Sequence, residues 1–81
     1  MMVEVLLFAR LREVCGQSQM RIELAEGATV ADCFADLAER FPELSGSRES
    51  LVVAMNEEYA TWTDQPADGD TVAFIPPVSG G

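Results

Sequence analysis

Apolar positions along the chain fall into two periods, and each period predicts its own elements. The opening run Val3-Glu4-Val5-Leu6-Leu7-Phe8-Ala9 is apolar apart from Glu4 and rich in branched side chains, which predicts a strand. Arg10 to Gln17 is polar, carries Gly16, and predicts the loop of a wide hairpin. Met20-Arg21-Ile22-Glu23-Leu24 alternates apolar and polar with period two, as a half-buried second strand does, and Glu26-Gly27 ends it. From Thr29 the period changes. Val30, Phe34, Leu37 and Phe41 recur at helical spacing, with Cys33 and Ala38 flanking the stripe, while Asp32, Asp36, Glu39 and Arg40 point elsewhere. Thr29 is a good N-cap with Asp32 three positions on, as in a capping box, and Pro42 stops the helix.

Beyond the helix, Glu43 to Ser50 is a loop of serine, glycine and charge. Leu51-Val52-Val53-Ala54-Met55 predicts a third strand, Asn56-Glu57-Glu58 a tight turn, and Tyr59 to Trp62 a short fourth strand. Pro66-Ala67-Asp68-Gly69-Asp70 is a strong turn signal. Thr71 to Ile75 makes the fifth strand, and Pro76-Pro77 forbids its continuation by withdrawing two ladder donors. The order is ββαββ(β). A single helix with one apolar face needs one sheet face to cover, so the expected class is α+β, a mixed sheet of about five strands with one main helix packed on it. That order is compatible with the β-grasp, or ubiquitin-like, fold. The predicted core is Val5, Leu7, Ile22, Leu24, Val30, Phe34, Leu37, Phe41, Val53, Val72 and Phe74. Residues 1–75 are expected to form one domain and residues 76–81 an extended tail.

Composition narrows the chemistry. With 81 residues there is little material for an internal active site. Fourteen acidic residues stand against five basic ones, a net charge of −9, and all five cations are arginine. Such a surface repels nucleic-acid phosphate and anionic lipid, so neither is expected as a partner. The charge either serves solubility alone or favours encounter with a basic protein surface. Without histidine the chain lacks the usual general base near neutrality, and without lysine it has no Schiff-base residue. Cys15 and Cys33 lie 18 positions apart without the spacing of a zinc or redox motif. They form either a disulfide or two buried free thiols, and a reducing compartment favours the thiols. The apolar opening is too short to span a bilayer and has no basic leader, so the cytoplasm is the expected location. No metal and no bound cofactor are expected. The acidic stretch Asp64 to Asp70 has Pro66 at a ligand position of a calcium loop and Ile75 where the closing glutamate belongs, and it reads as a turn.

What remains is the tail, Pro76-Pro77-Val78-Ser79-Gly80-Gly81. The prolines favour an extended exit from the sheet. Six residues at roughly 3.3 Å each can carry the terminus on the order of 20 Å from the fold. Gly80 and Gly81 have no Cβ and can enter a narrow channel. The reactive group there is the α-carboxylate of Gly81, a poor electrophile until ATP activates it as an acyl-adenylate that a sulfur nucleophile can attack. A Gly-Gly alone signifies little, because frayed termini are common. Set just beyond a Pro-Pro pair, with Val78 and Ser79 between, at the end of a β-grasp-like pattern, it points to a function.

The opening Phe8-Ala9-Arg10-Leu11-Arg12-Glu13, the turn Asp68-Gly69-Asp70 and the ending Val72 to Gly81 resemble the small subunit of molybdopterin synthase, over essentially the whole chain. The resemblance implies a carrier cycle. A ubiquitin-activating-type adenylyltransferase uses ATP to adenylate Gly81, and a cysteine desulfurase or rhodanese-type donor supplies the sulfur of a thiocarboxylate. The tail then enters the large synthase subunit, where sulfur passes to cyclic pyranopterin monophosphate and builds the molybdopterin dithiolene. The family forms a heterotetramer of two small and two large subunits. The residues themselves add a docking face. Phe8 lies on the outer side of the first strand and Ile75 on the outer side of the last, and in a β-grasp sheet these strands are parallel neighbours. The resemblance adds Tyr59 as a hydrophobic residue of the partner interface. Arg12 faces solvent, or an acidic group or nucleotide of a partner. The rival readings are a sulfur carrier for thiamine or another thiolation pathway, a ubiquitin-like protein modifier, and a plain interaction domain with an inert tail.

Overall fold

The computed structural model describes residues 1–77, and every predicted strand is present. In chain order the elements are β1 (Met2–Leu7), α1 (Ala9–Cys15), β2 (Gln19–Glu23), α2 (Val30–Arg40), β3 (Val52–Met55), β4 (Glu58–Ala60) and β5 (Thr71–Ile75). Two 3-10 turns, Pro42–Leu44 and Arg48–Ser50, lie between α2 and β3.

The five strands form one sheet in the order β2-β1-β5-β3-β4. β1 runs parallel to β5 and antiparallel to β2, while β3 runs antiparallel to both β5 and β4. With α2 crossing one face, this is the mixed sheet expected of a β-grasp. Its inner face carries Val3, Val5, Leu7, Ile22, Val53, Val72 and Phe74, all buried, at alternate positions along their strands. Against them α2 packs Val30, Cys33, Phe34 and Leu37. Phe34 meets the Phe74 ring edge-on at 5.2 Å and the Trp62 ring at 5.6 Å, and Trp62 stacks on Phe74 at 5.8 Å. Arg48 lies 4.7 Å over the outer face of Trp62 and closes this cluster with a cation–π contact. Phe41, predicted in the core, is only partly buried, because α2 ends at Arg40 and Phe41 begins the turn into Pro42.

α2 begins as its sequence dictates. The Thr29 hydroxyl accepts from the Asp32 N–H at 3.2 Å, and the Asp32 carboxylate accepts from the Thr29 N–H at 2.9 Å. The next two donors of the first turn, at Val30 and Ala31, go to the carbonyls of Asp64 and Trp62. The loop after β4 is thereby tied to the helix. The acidic turn also has defined work: Asp68 accepts from the Met2 N–H at 2.7 Å and Asp70 from the Ala67 N–H at 2.7 Å.

The segment expected to be a hairpin loop is instead a two-turn helix, α1. Leu11 and Cys15, four positions apart, are its buried face, and Gly16 at φ 73° is its C-cap, donating its N–H to the Arg12 carbonyl at 2.9 Å. The domain therefore has two helices. The fourth strand is displaced from its expected span and covers Glu58–Ala60, which frees Trp62 to turn into the core.

Candidate functional site

The outer face of the sheet is where the predicted docking residues meet. Leu6 pairs with Ala73, Ala73 with Ala54, and Ala54 with Tyr59, so one row of outward side chains crosses four strands. The next row pairs Ile75 with Val52. Phe8 follows Leu7, which pairs with Phe74, and so falls beside Ile75. The two alanines set the relief. With only a methyl group at the centre of each middle strand, the sheet is hollowed between Leu6 and Phe8 on one side and Tyr59 on the other. The result is a shallow groove of about 490 Å³ that Phe8, Tyr59 and Ile75 all line.

Exposure separates this face from the core. Tyr59 is 88% exposed, Phe8 43% and Val52 42%. With Ile75, which pairs with Val52, they make four apolar or aromatic side chains on one face, a patch of the kind that partners cover. The sequence placed Phe8 and Ile75 here, and the family resemblance added Tyr59. It did not place Ala54, Ala73 or Val52, whose signal is only alternation within the apolar runs 52–55 and 71–75.

One end of the groove is held by a two-residue turn. Asn56 and Glu57 have positive φ, 52° and 70°, the geometry of a tight hairpin between β3 and β4. Asn56 fixes that hairpin to the start of β5: its side-chain oxygen accepts from the Thr71 N–H at 3.0 Å, its amide donates to Asp70 at 3.1 Å, and its backbone N–H donates to the Thr71 carbonyl. Hydrogen bonds from the Ala67 N–H and the Asn56 amide hold the Asp70 carboxyl below its ordinary pKa. Tyr59 is thus presented from a strand whose turn is anchored to the start of β5 through Asn56.

The opposite end is where the chain leaves. β5 delivers Ile75, then Pro76 half-buried and Pro77 exposed, beside Phe8. Val78, Ser79, Gly80 and Gly81 of the expected tail lie outside the described residues.

The thiols stand apart from this face. Cys15 and Cys33 are free and buried. Burial first, and the Asp36 carboxylate second, push the Cys33 thiol up to about 12, and burial raises Cys15. Arg12 lies on α1, exposed, rather than on a loop. Among the described residues no three of histidine, cysteine, aspartate and glutamate come together as a metal site, and no helix is long and apolar enough to cross a membrane.

Comparison with known proteins gives this face and tail a context. Residues 5–81 match the model of the ThiS family. The chain is 42% identical over 83 residues to the molybdopterin synthase sulfur carrier subunit of Chlamydomonas reinhardtii, covering 100% of each chain. It is 40% identical over 79 residues to the protein of the same name from Arabidopsis thaliana, covering 98% of this chain and 82% of that one. In structure it is similar to small archaeal modifier protein 1 of H. volcanii, with a TM-score of 0.86, 33% identity, and 95% and 98% of the two chains covered.

Proposed function

The chain belongs to the ThiS family, and from that premise we propose that it is the sulfur carrier subunit of a molybdopterin synthase. The observation that carries the reading is the joining of an apolar groove to the exit of a Gly-Gly tail. The parallel pair β1–β5 brings Phe8 and Ile75 together at the point where Pro76 leaves the sheet.

In this reading the two parts divide the work. The groove docks the fold: Phe8, Tyr59 and Ile75 enter complementary apolar pockets of the large synthase subunit and set the register of the tail. Pro76, Pro77, Val78, Ser79 and Gly80 thread a channel that admits no bulky side chain. Gly81 carries the chemistry. Its carboxylate attacks the α-phosphate of ATP on an adenylyltransferase of the ubiquitin-activating type, and pyrophosphate leaves. The terminal sulfur of a desulfurase or rhodanese-type persulfide then displaces AMP to give an acyl disulfide. A second thiol attacks the donor's own sulfur, breaking the S–S bond, releasing the thiocarboxylate and leaving a disulfide between the two thiols. The large subunit takes that sulfur for cyclic pyranopterin monophosphate. The carrier needs no resident metal or cofactor for any of these steps, since ATP is bound by the partner.

Likeness to an archaeal modifier favours a second reading, in which the same activated Gly81 is passed to a lysine of another protein. One experiment separates the two. Protein isolated from its own cells is analysed intact by mass spectrometry. A C-terminal oxygen-to-sulfur exchange supports the carrier, isopeptide-linked adducts support the modifier, and an unmodified carboxylate under conditions of active cofactor synthesis contradicts both.

A further inference from the structure

An activated acyl group reacts with the nucleophiles nearest to it. When an amine attacks an acyl-adenylate, the C–N bond forms, the acyl C–O bond to AMP breaks, and a proton goes to water; a thiolate gives a thioester in the same way. For a protein that bears such a group at its own terminus, its own side chains are the nucleophiles at highest effective concentration. We propose that this chain is an acyl donor that cannot act as an acyl acceptor, because no side chain of its described fold offers a competent nucleophile to an activated Gly81. The inference rests on the reading of Gly81 as the activated group.

Four observations support it. First, the chain has no lysine and no histidine, and every one of its five cations is an arginine. A guanidinium keeps its charge and its hydrogen bonds while remaining protonated, so it is not a nucleophile near neutrality. Three arginines fill positions where a lysine ammonium could serve: Arg21 is 3.3 Å from Glu4, Arg40 is 3.1 Å from Asp36, and Arg48 covers Trp62. The other two, Arg10 and Arg12, are exposed on α1, directly after Phe8 and at the end of the sheet from which the tail departs. These positions are exposed and could carry a reactive amine, and the cation there is again arginine.

Second, both thiols are withdrawn. Cys33 is 0% exposed and Cys15 8%, and the raised pKa of each leaves little thiolate near neutrality. Third, the exposed hydroxyls, Tyr59 included, have no histidine to take their proton. Fourth, the Met1 ammonium donates to the Leu24 carbonyl at 2.8 Å, at the opposite end of β1 from Phe8. The consequence is selectivity. The activated tail waits for a nucleophile brought by a partner, and that nucleophile alone decides the product.

The test uses the full chain prepared with a thioester at Gly81, an acyl donor that requires no activating enzyme. Its outcome is therefore independent of the pathway the chain serves. The protein is held at high concentration near pH 8 and followed by intact mass spectrometry, with added hydroxylamine as a control for acyl reactivity. Wild type should yield hydrolysed monomer alone, and hydroxamate when hydroxylamine is present. Arg10→Lys and Arg12→Lys, which keep the charge at exposed positions, should form cyclised or dimeric amides at least about tenfold faster. Self-acylated wild type at the rate of these variants, through Met1, Cys15 or Cys33, would overturn the proposal. So would lysine variants as inert as wild type, since position rather than missing nucleophiles would then protect the acyl group.

Discussion

Tyr59 stands almost wholly in solvent, so its ring adds little to folding and is available to a partner. Phe8 is in the same position to a lesser degree. Burying a side chain of this size contributes roughly 1.5–3 kcal/mol, so Phe8→Ala or Tyr59→Ala should weaken binding of the large subunit by about tenfold or more. Calorimetric titration gives the affinity and thermal unfolding the stability, and the melting temperature should hardly move. A variant that unfolds readily yet binds normally would return that residue to the core. Next to Thr71, which lines the same groove, Asp70 makes a prediction about pH. Its carboxyl is held below the ordinary value by the Ala67 N–H and the Asn56 amide. A depressed carboxylate contributes stability that is fully present above the unfolded value, about 3.9, and is lost as pH falls through the folded value below it. Asp70→Asn should therefore be less stable than wild type at pH 7, with the gap in urea midpoint narrowing in strong acid. A gap of constant size would mean that the ionised form plays no part in holding the hairpin.

At the scale of elements, α1 is the test of what the sequence conceals. If Leu11 belongs to a core helix and not to a loop, Leu11→Ala should cost about 2–5 kcal/mol, read from denaturant unfolding. A cost of a few tenths would fit the loop. The capping box at Thr29 and Asp32 and the stripe Val30, Phe34, Leu37 made α2 legible, because three turns of helix repeat their period enough to rise above chance. Two turns do not. α1 has only Leu11 and Cys15 as buried marks, and its N-cap, Phe8, offers no side-chain oxygen. Gly16 was visible in the sequence, but a C-cap glycine and a loop glycine look alike until the helix before it is known. β4 slipped for a related reason. Tyr59 to Trp62 is all compatible with a strand, yet Trp62 is drawn out of the ladder by Phe34 and Phe74, a tertiary preference that no local pattern carries. That Phe8 and Ile75 share a side of the sheet was legible through parity, once β1 and β5 are taken as parallel neighbours. The hollow of that face was not, since it depends on Ala54 and Ala73 coming together from strands nearly twenty residues apart in the chain.

Across the whole molecule, a single sheet separates two tasks. Its inner face, with α1 and α2, holds the fold together, and the last residue of β5 on that face is Phe74. Its outer face carries the exposed Phe8, Val52 and Tyr59, and under the proposed function this face and the tail serve partners, for which a net charge of −9 favours basic surfaces. Changes beyond Pro77 should therefore leave folding intact while altering chemistry, and the position of the terminal carboxylate is the point on which the account depends. The direct measurement loads chemically prepared thiocarboxylate at the C-terminus and follows conversion of cyclic pyranopterin monophosphate by the large subunit, without ATP. Wild type should deliver sulfur. A variant with one residue added after Gly81, loaded in the same way, should fold and dock through Phe8, Tyr59 and Ile75 but deliver none, because its reactive carbon lies beyond the partner's catalytic position. Full conversion by the extended variant, with the added residue still in place, would contradict the assignment of the chemistry to Gly81.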